Sequence, residues 1–538
     1  MDRYSLLQKG LFPETLPPCF TTVDLKRAMR GIVPAVRAKA LHKRPTDYVR
    51  YNGTKHDGNR RYFGSPNPIS YFYVSEFIAA RWDEFLDRFS ASPFSVSRPR
   101  LGRATDDRPV IIPSLSELTT EASKKIGHSP FILKTDIAQF FPSIYTHSIS
   151  WAAHGISRSK SDTDPASSEL YFNRLDFFVR NCQMAETRGV LVGPDAFRLV
   201  SEYVVGGLDQ ELIDAVGDEI VGAARHVDDY YIGLRSESSA LLVLSKLREI
   251  LQRYSLNVND GKTKVLSGLE PLNDLWAQSL RKEARDLPRF GQHIVDDVLL
   301  FVNRAVELSA NLKSDSPVKI ALRALDQSKS YNAHYWHHIE PYLQRIIFHH
   351  PHCIDYVALI VAKRVAIGED IDKSGWTSAV HDLLRRHLAF NHHHEVVWLL
   401  WLSLCCELHL PEDLIAALVA NPNAYIRALV IAGFTSGRIA RRPKMSLGSR
   451  LPSTDQSWIL NLHARSAGYS KASFSGAMAG EFEHLADRSV KLIDIQEHLD
   501  KVKRGTSHAI SRTRYGYDGD DEDADPDHLG VLDWGGEE

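Results

Sequence analysis

The chain has 538 residues, more than one hydrophobic core usually serves, so two or more domains are expected. It is 43% hydrophobic and 25% charged, and 65 basic against 67 acidic side chains leave a formal charge of -2, which argues against a globally basic nucleic-acid binder while leaving room for a local basic channel. Five scattered cysteines (Cys19, Cys182, Cys353, Cys405 and Cys406), a start without a basic-then-apolar leader, and an apolar stretch at 396–406 that meets charge at Glu407 point to a reduced, cytoplasmic protein with no disulfide scaffold and no membrane span.

In chain order, helices are expected at 24–41, with a break or kink at Pro34, and at 73–89. Arg60, Arg61, Arg98, Arg100, Arg103 and Arg108 give this region local positive character. The apolar run at 131–133 reads as a buried strand that delivers Asp136 at its end. Gly193 and Pro194 introduce a helix at 195–208, carried by Phe197, Leu199, Val200, Tyr203 and Val204. Strand-like sequence at 220–232 passes through His226, Val227, Asp228 and Asp229; a helix at 239–254 and a strand-like 256–258 lead to Lys262 and Thr263. Strand, helix, strand pair, helix, strand is an α/β order.

After Trp276 the pattern becomes helical, first over 290–300 and then repeatedly from 318 to 409, with further helices at 411–419, 424–432, 457–467 and 489–503. The spacing suggests stacked helix pairs without a named repeat consensus. From Asp518 the chain is dominated by Asp, Gly and Glu, and an acidic disordered tail is expected over 506–538.

Adjacent aspartates within apolar sequence are expensive to bury unless a cation or strong donors compensate. Asp228-Asp229 alone would read as a solvated loop, but an earlier strand ending in Asp136 supplies a third carboxylate. Two Mg²⁺ ions, with Mn²⁺ as a substitute, are the hard cations such ligands suit, and a pair of ions can both activate a hydroxyl and neutralise a departing diphosphate.

These blocks resemble those of the reverse transcriptases. Thr135-Asp136-Ile137-Ala138-Gln139-Phe140-Phe141-Pro142-Ser143-Ile144 is similar to the family's first palm block, and His226-Val227-Asp228-Asp229 to its aromatic-x-Asp-Asp signature, with His226 where Tyr or Phe is usual. The resemblance implies an α/β fingers-palm core followed by an all-α, helical repeat-like carboxy-terminal domain. It implies fingers at 1–130, palm at 131–270, a thumb-like connection at 271–315 and helical repeats at 316–505. Asp136 and Asp228 are implied as the principal metal ligands, with Asp229 assisting. The segment from Gln183 to Pro194, including Gly189, looks like the nucleotide- and template-positioning segment, although Leu191-Val192-Gly193 stands in place of the usual Pro-Gln-Gly. Phe141 falls at the steric-gate position, Lys262 near the leaving group, and Arg108 is one candidate for the triphosphate.

Ser143-Ile144-Tyr145-Thr146-His147, then Trp151-Ala152 and Gly155, narrows the resemblance to bacterial antiphage reverse transcriptases of the abortive-infection and unclassified defence groups. That likeness implies dNTPs as substrates, a DNA product, an RNA template or associated non-coding RNA, and homo-oligomers, with synthesis that is protein-primed or template-independent. Tyr335, Tyr342, Tyr356, Tyr425 and Tyr469 are the tyrosines considered as primers. The alternatives are an RNA-templated enzyme of a mobile element and a catalytically inactive helical scaffold. His349, His350, His352 and Cys353, and His392, His393 and His394, lack a complete four-ligand spacing and are expected to serve packing or polar contacts.

Overall fold

The computed structural model describes residues 1–505 except 104–105, 114, 273 and 288–292, and the side chains of 115–119; the acidic stretch expected at 506–538 lies outside the described residues. Strands β1 (Val49–Thr54) and β2 (Arg60–Ser65) form an antiparallel hairpin, and β3 (Arg100–Leu101) and β4 (Val110–Ile111) a short ribbon. The central sheet holds β5 (Phe131–Asp136), β6 (Ile220–His226), β7 (Asp229–Leu234) and β8 (Lys264–Ser267), in the order β6-β7-β5-β8, antiparallel throughout. The helix Leu115–Ile126 packs on β6 and β7. It comes so near that a Cβ at Gly222 would stand 2.1 Å from the Lys125 carbonyl, which explains a glycine inside a strand.

The first expected helix is Leu25–Ala38, with Pro34 inside it. The second divides into Pro68–Ala80 and Trp82–Ala91 at Arg81, whose φ of -124° leaves the helical region. Asn67 starts the former by accepting from Ile69 N–H, and Pro68 occupies the first turn, where a missing N–H costs nothing. The helix expected to end at 208 runs from Asp195 to Val216, because Leu212 and Val216 continue its buried face. The strand expected at 256–258 makes only an isolated bridge between Val258 and Ile137; the ladder partner of β5 is the mostly exposed edge strand β8.

From Ser316 the chain is chiefly helical, with Ile354–Ala366, Lys373–Ala389, His393–Cys405 and Ala424–Thr435 packed on their neighbours. The all-α expectation needs one correction. Arg450–Pro452 and Ser473–Ser475 form a parallel two-stranded ribbon, extended by Ser453 N–H donating to the Ser475 carbonyl at 3.0 Å. Two smaller clusters aside, one hydrophobic core runs from Tyr4 to Val502 through the amino-terminal region, the sheet and the late helices. Residues Ala277, Leu280, Phe301 and Ala305 belong instead to a separate cluster shared with Ile320, Ala321 and Ala324.

The late helices fold back on the β1–β2 hairpin. Tyr51 Oη meets His394 Nδ1 at 2.9 Å, His352 Nδ1 meets the Thr54 carbonyl at 2.7 Å, and the Trp398 indole donates to the Thr15 carbonyl at 2.8 Å. His350 pairs with Asp315 at 2.8 Å, so the histidine-rich segments serve polar contacts, as expected. Arg60 is ion-paired at 2.6 Å with the fully buried Glu395 and is therefore engaged inside the protein. All five cysteines are buried thiols outside any disulfide, and no described helix is long and apolar enough to cross a membrane.

Candidate active site

The β5–β7 register places Asp136 directly opposite Asp229, and Ile137 N–H donates to the Asp228 carbonyl at 3.2 Å. Directly paired residues project to the same face of a sheet, so two carboxylates share one edge of it. Asp136 is only 6% exposed, whereas Asp228 and Asp229 are half-buried. Asp136 Oδ1 is buried with no hydrogen-bond partner, and Lys262 Nζ lies 3.1 Å from Oδ2. The turn carrying Lys262 is tied in place: Asn259 N–H donates to the Asp136 carbonyl at 2.9 Å, and the Thr135 and Thr263 hydroxyls meet at 2.7 Å. Among the described residues, no three His, Cys, Asp or Glu side chains are gathered so as to hold a metal ion. The ammonium of Lys262 supplies the positive charge at Asp136 in this arrangement.

Val227 and Asp228 form the two-residue turn between β6 and β7. Val227 has a φ of +55°, which costs a β-branched residue roughly 1–3 kcal/mol, and a surrounding structure must impose it. That structure is a buried polar network. Val227 N–H donates to Ser97 Oγ at 2.9 Å, and its carbonyl accepts from Arg225 Nη1 at 2.7 Å. Arg225, fully buried, binds Glu202 at 2.8 Å and Asp209 at 2.8 Å, both on the Asp195–Val216 helix. Tyr230 Oη and Ser92 Oγ donate to Asp209, and Ser95 Oγ donates to Glu202. Burial would lower the Arg225 pKa, but Asp209 and Glu202 outweigh it and hold the guanidinium well above its ordinary value. His226 is also anchored, with Nε2 at 3.0 Å from the Pro113 carbonyl.

The segment from Gln183 pairs with the chain after Asp136. Thr146 N–H donates to the Thr187 carbonyl at 2.8 Å, Gly189 N–H to Ile144 at 2.8 Å, and Val190 N–H to Phe141 at 2.9 Å. Phe141 and Gly189 are thereby brought together, with the Phe141 ring buried 5.1 Å from that of Phe140. Gly189 has φ +83°, and a Cβ there would stand 3.1 Å from the Pro142 carbonyl.

Two expected substrate contacts are corrected. Gln183 is 2% exposed, and its amide donates to the Glu186 and Gly189 carbonyls at 3.0 and 2.8 Å, so it shapes the loop from inside. Arg108 is buried, donating to Asp195 Oδ1 at 2.6 Å and to the Phe12 carbonyl at 2.8 Å, with Glu14 at 3.4 Å. Its guanidinium is engaged at the start of the Asp195–Val216 helix. Of the tyrosines considered as primers, Tyr335, Tyr356, Tyr425 and Tyr469 are buried, and Tyr342 is half-buried.

The Arg225 network is not part of the sequence reading. Its signal is an arginine inside an apolar strand together with Glu202 and Asp209, two turns apart on one face of a buried helix.

No protein-family model matches the chain, and no curated protein matches it. Among solved structures, apo telomerase from Candida tropicalis aligns with TM-score 0.30 and 10% identity over 72% of this chain and 70% of that one. Telomerase from Candida albicans in complex with a fragment of telomeric RNA aligns with TM-score 0.29 and 11% identity over 70% and 69%.

Proposed function

We propose that this chain is a nucleotidyl-transferring polymerase of the reverse-transcriptase kind, acting on deoxynucleoside triphosphates. The observation that carries the reading is the buried, unpartnered Oδ1 of Asp136 opposite Asp229, beside the clamped Asp228 turn. A buried carboxylate oxygen without a donor is the group a hard divalent cation satisfies. Asp136 and Asp228, assisted by Asp229, would hold Mg²⁺ or Mn²⁺, which when bound supplies Lewis acidity toward a hydroxyl nucleophile and the leaving diphosphate. Lys262, now 3.1 Å from Asp136 Oδ2, would become available to neutralise phosphate charge if a cation took its place at that carboxylate. Phe141, whose carbonyl accepts from Val190 next to Gly189, would limit the space beneath the sugar. The sequence likeness to the antiphage groups supports a defence role, DNA as product and an RNA template or associated RNA as partner.

A second reading, a catalytically silent helical scaffold, is favoured by the absence of a three-carboxylate grouping among the described residues. The two are separated by incubating nuclease-treated protein with Mg²⁺ and each labelled dNTP, with and without RNA templates. Polymer that stays with the protein after denaturation indicates protein priming, and polymer formed only with RNA indicates templating. No polymer in any arm favours the scaffold.

A further inference from the structure

Away from the acidic centre, a cavity of about 870 Å³ opens between the helices Leu25–Ala38, Pro68–Ala80 and Phe172–Asn181. That volume lies in the range of sites that enclose small organic ligands. Its wall is aromatic. The His42 ring stands 5.3 Å from Tyr73, 5.9 Å from Phe178 and 6.5 Å from Phe177, each edge-on, and Tyr73 and Phe178 are 5.4 Å apart. The wall is held from behind: Tyr73 Oη donates to the Val36 carbonyl at 3.0 Å and Asn181 donates to the His42 carbonyl at 2.7 Å.

Its rim carries an excess of cations: Arg37, Lys43, Arg81 and Arg174 line it beside two carboxylates, Glu76, which is ion-paired with Arg37, and Asp164. Lys43 and Arg174 are both exposed lining residues. Arg174 makes one hydrogen bond, to the Pro165 carbonyl at 3.2 Å, and neither residue has a carboxylate partner among the described residues. Burial lowers the His42 pKa, and the charges of Lys43 and Arg174 lower it further.

We propose that this cavity binds a free nucleoside phosphate, its base against the rings of His42, Tyr73, Phe177 and Phe178 and its phosphates at Lys43 and Arg174. A planar π-system with a polyanionic end is the ligand that uses both features: the rings offer stacking and edge contacts, and two cations without carboxylate partners offer charge-assisted hydrogen bonds. Neither an apolar ligand nor a bare anion uses both. The site shares no residue with the acidic centre, so the inference stands whether or not that centre is catalytic.

The test is equilibrium binding of fluorescent ATP to the full chain in EDTA, which removes metal-dependent binding at the aspartates. The expected result is that K43E/R174E, changed at exposed positions and checked for an unaltered Tm, binds at least about tenfold more weakly. F177A weakens ATP but not inorganic tripolyphosphate, and D228N binds as wild type does. Inorganic tripolyphosphate competes about tenfold less well than ATP. The proposal is overturned by no binding to wild type, by equal binding to K43E/R174E, by loss in D228N, or by tripolyphosphate competing as well as ATP. It is equally overturned if an oligothymidylate binds more tightly than ATP with the same dependence on Lys43 and Arg174, which would mark a strand-binding groove.

Discussion

Arg225 Nη1 donates to the carbonyl of Val227 at 2.7 Å, so a guanidinium fixed by two buried acids holds the left-handed residue that precedes Asp228. Strain at that turn is imposed from beneath, by a helix outside the motif. Replacing Arg225 leaves Glu202 and Asp209 buried without their cation, a loss worth about 3–5 kcal/mol. Arg225→Met is therefore expected to lower the urea midpoint sharply, and Arg225→Lys, which cannot span both acids and the carbonyl, to recover only part of it. An unchanged midpoint in Arg225→Met would remove the network from this role.

Gln183 and Gly189 form one device. Gln183→Leu deprives two carbonyls of their donor, and Gly189→Ala forces a side chain into φ +83° against Pro142. Each is expected to cost about 1–3 kcal/mol and, in an active polymerase, to raise the dNTP KM more than it lowers kcat. The double variant is expected to cost less than the sum, since both loosen the same loop. Strict additivity in thermal unfolding would show that the two act separately.

For Phe141, sugar selection is the measurement. Phe141→Ala is expected to narrow the ratio of kcat/KM for deoxynucleotides over ribonucleotides by about tenfold or more, alongside a core loss of about 3 kcal/mol. A lowered Tm with an unchanged ratio leaves Phe141 as a packing residue only.

Acid should weaken the fold in two stages. Burial brings His387 and His463 down from 6.5 to about 4, so between those values the unfolded chain takes protons that the folded chain refuses, and stability falls as pH falls. Each shift corresponds to a limit on the order of 3 kcal/mol. Burial raises the Glu395 carboxyl, but the Arg60 hydrogen bond, His394 and Thr54 outweigh it and bring it from 4.5 to about 2, so its contribution is present above 4.5 and is lost below. Chemical denaturation from pH 7.5 to 3 should show loss beginning near pH 6.5 and steepening below 4.5. Constant stability from pH 7 to 5 would rule out the histidine contribution.

The acidic centre is legible in the sequence because carboxylates inside apolar strands stand out against the cost of burying them. The paired strands around Asp228 and Asp229 and most late helices are legible for the same kind of reason, a repeating apolar face. Arg108 is not, because its partners Glu14 and Asp195 are distant in sequence and an exposed cation reads the same as a buried one. Gln183 faces inward in a loop where Met184 and Ala185 both adopt positive φ, a conformation that no local residue preference signals. Strand β8 is missed because it is a four-residue, mostly exposed edge strand in which only Val265 and Leu266 are apolar, while the apolar Leu256 and Val258 fill the core without forming a ladder.

The central claim is tested most directly by labelled dNTP incorporation with Mg²⁺, comparing wild type with Asp228→Ala at matched folding. The prediction is polymer from wild type, abolished by EDTA, and a loss of at least about a thousandfold in Asp228→Ala. Polymer formed equally by both proteins, or by neither under any template condition, would contradict it.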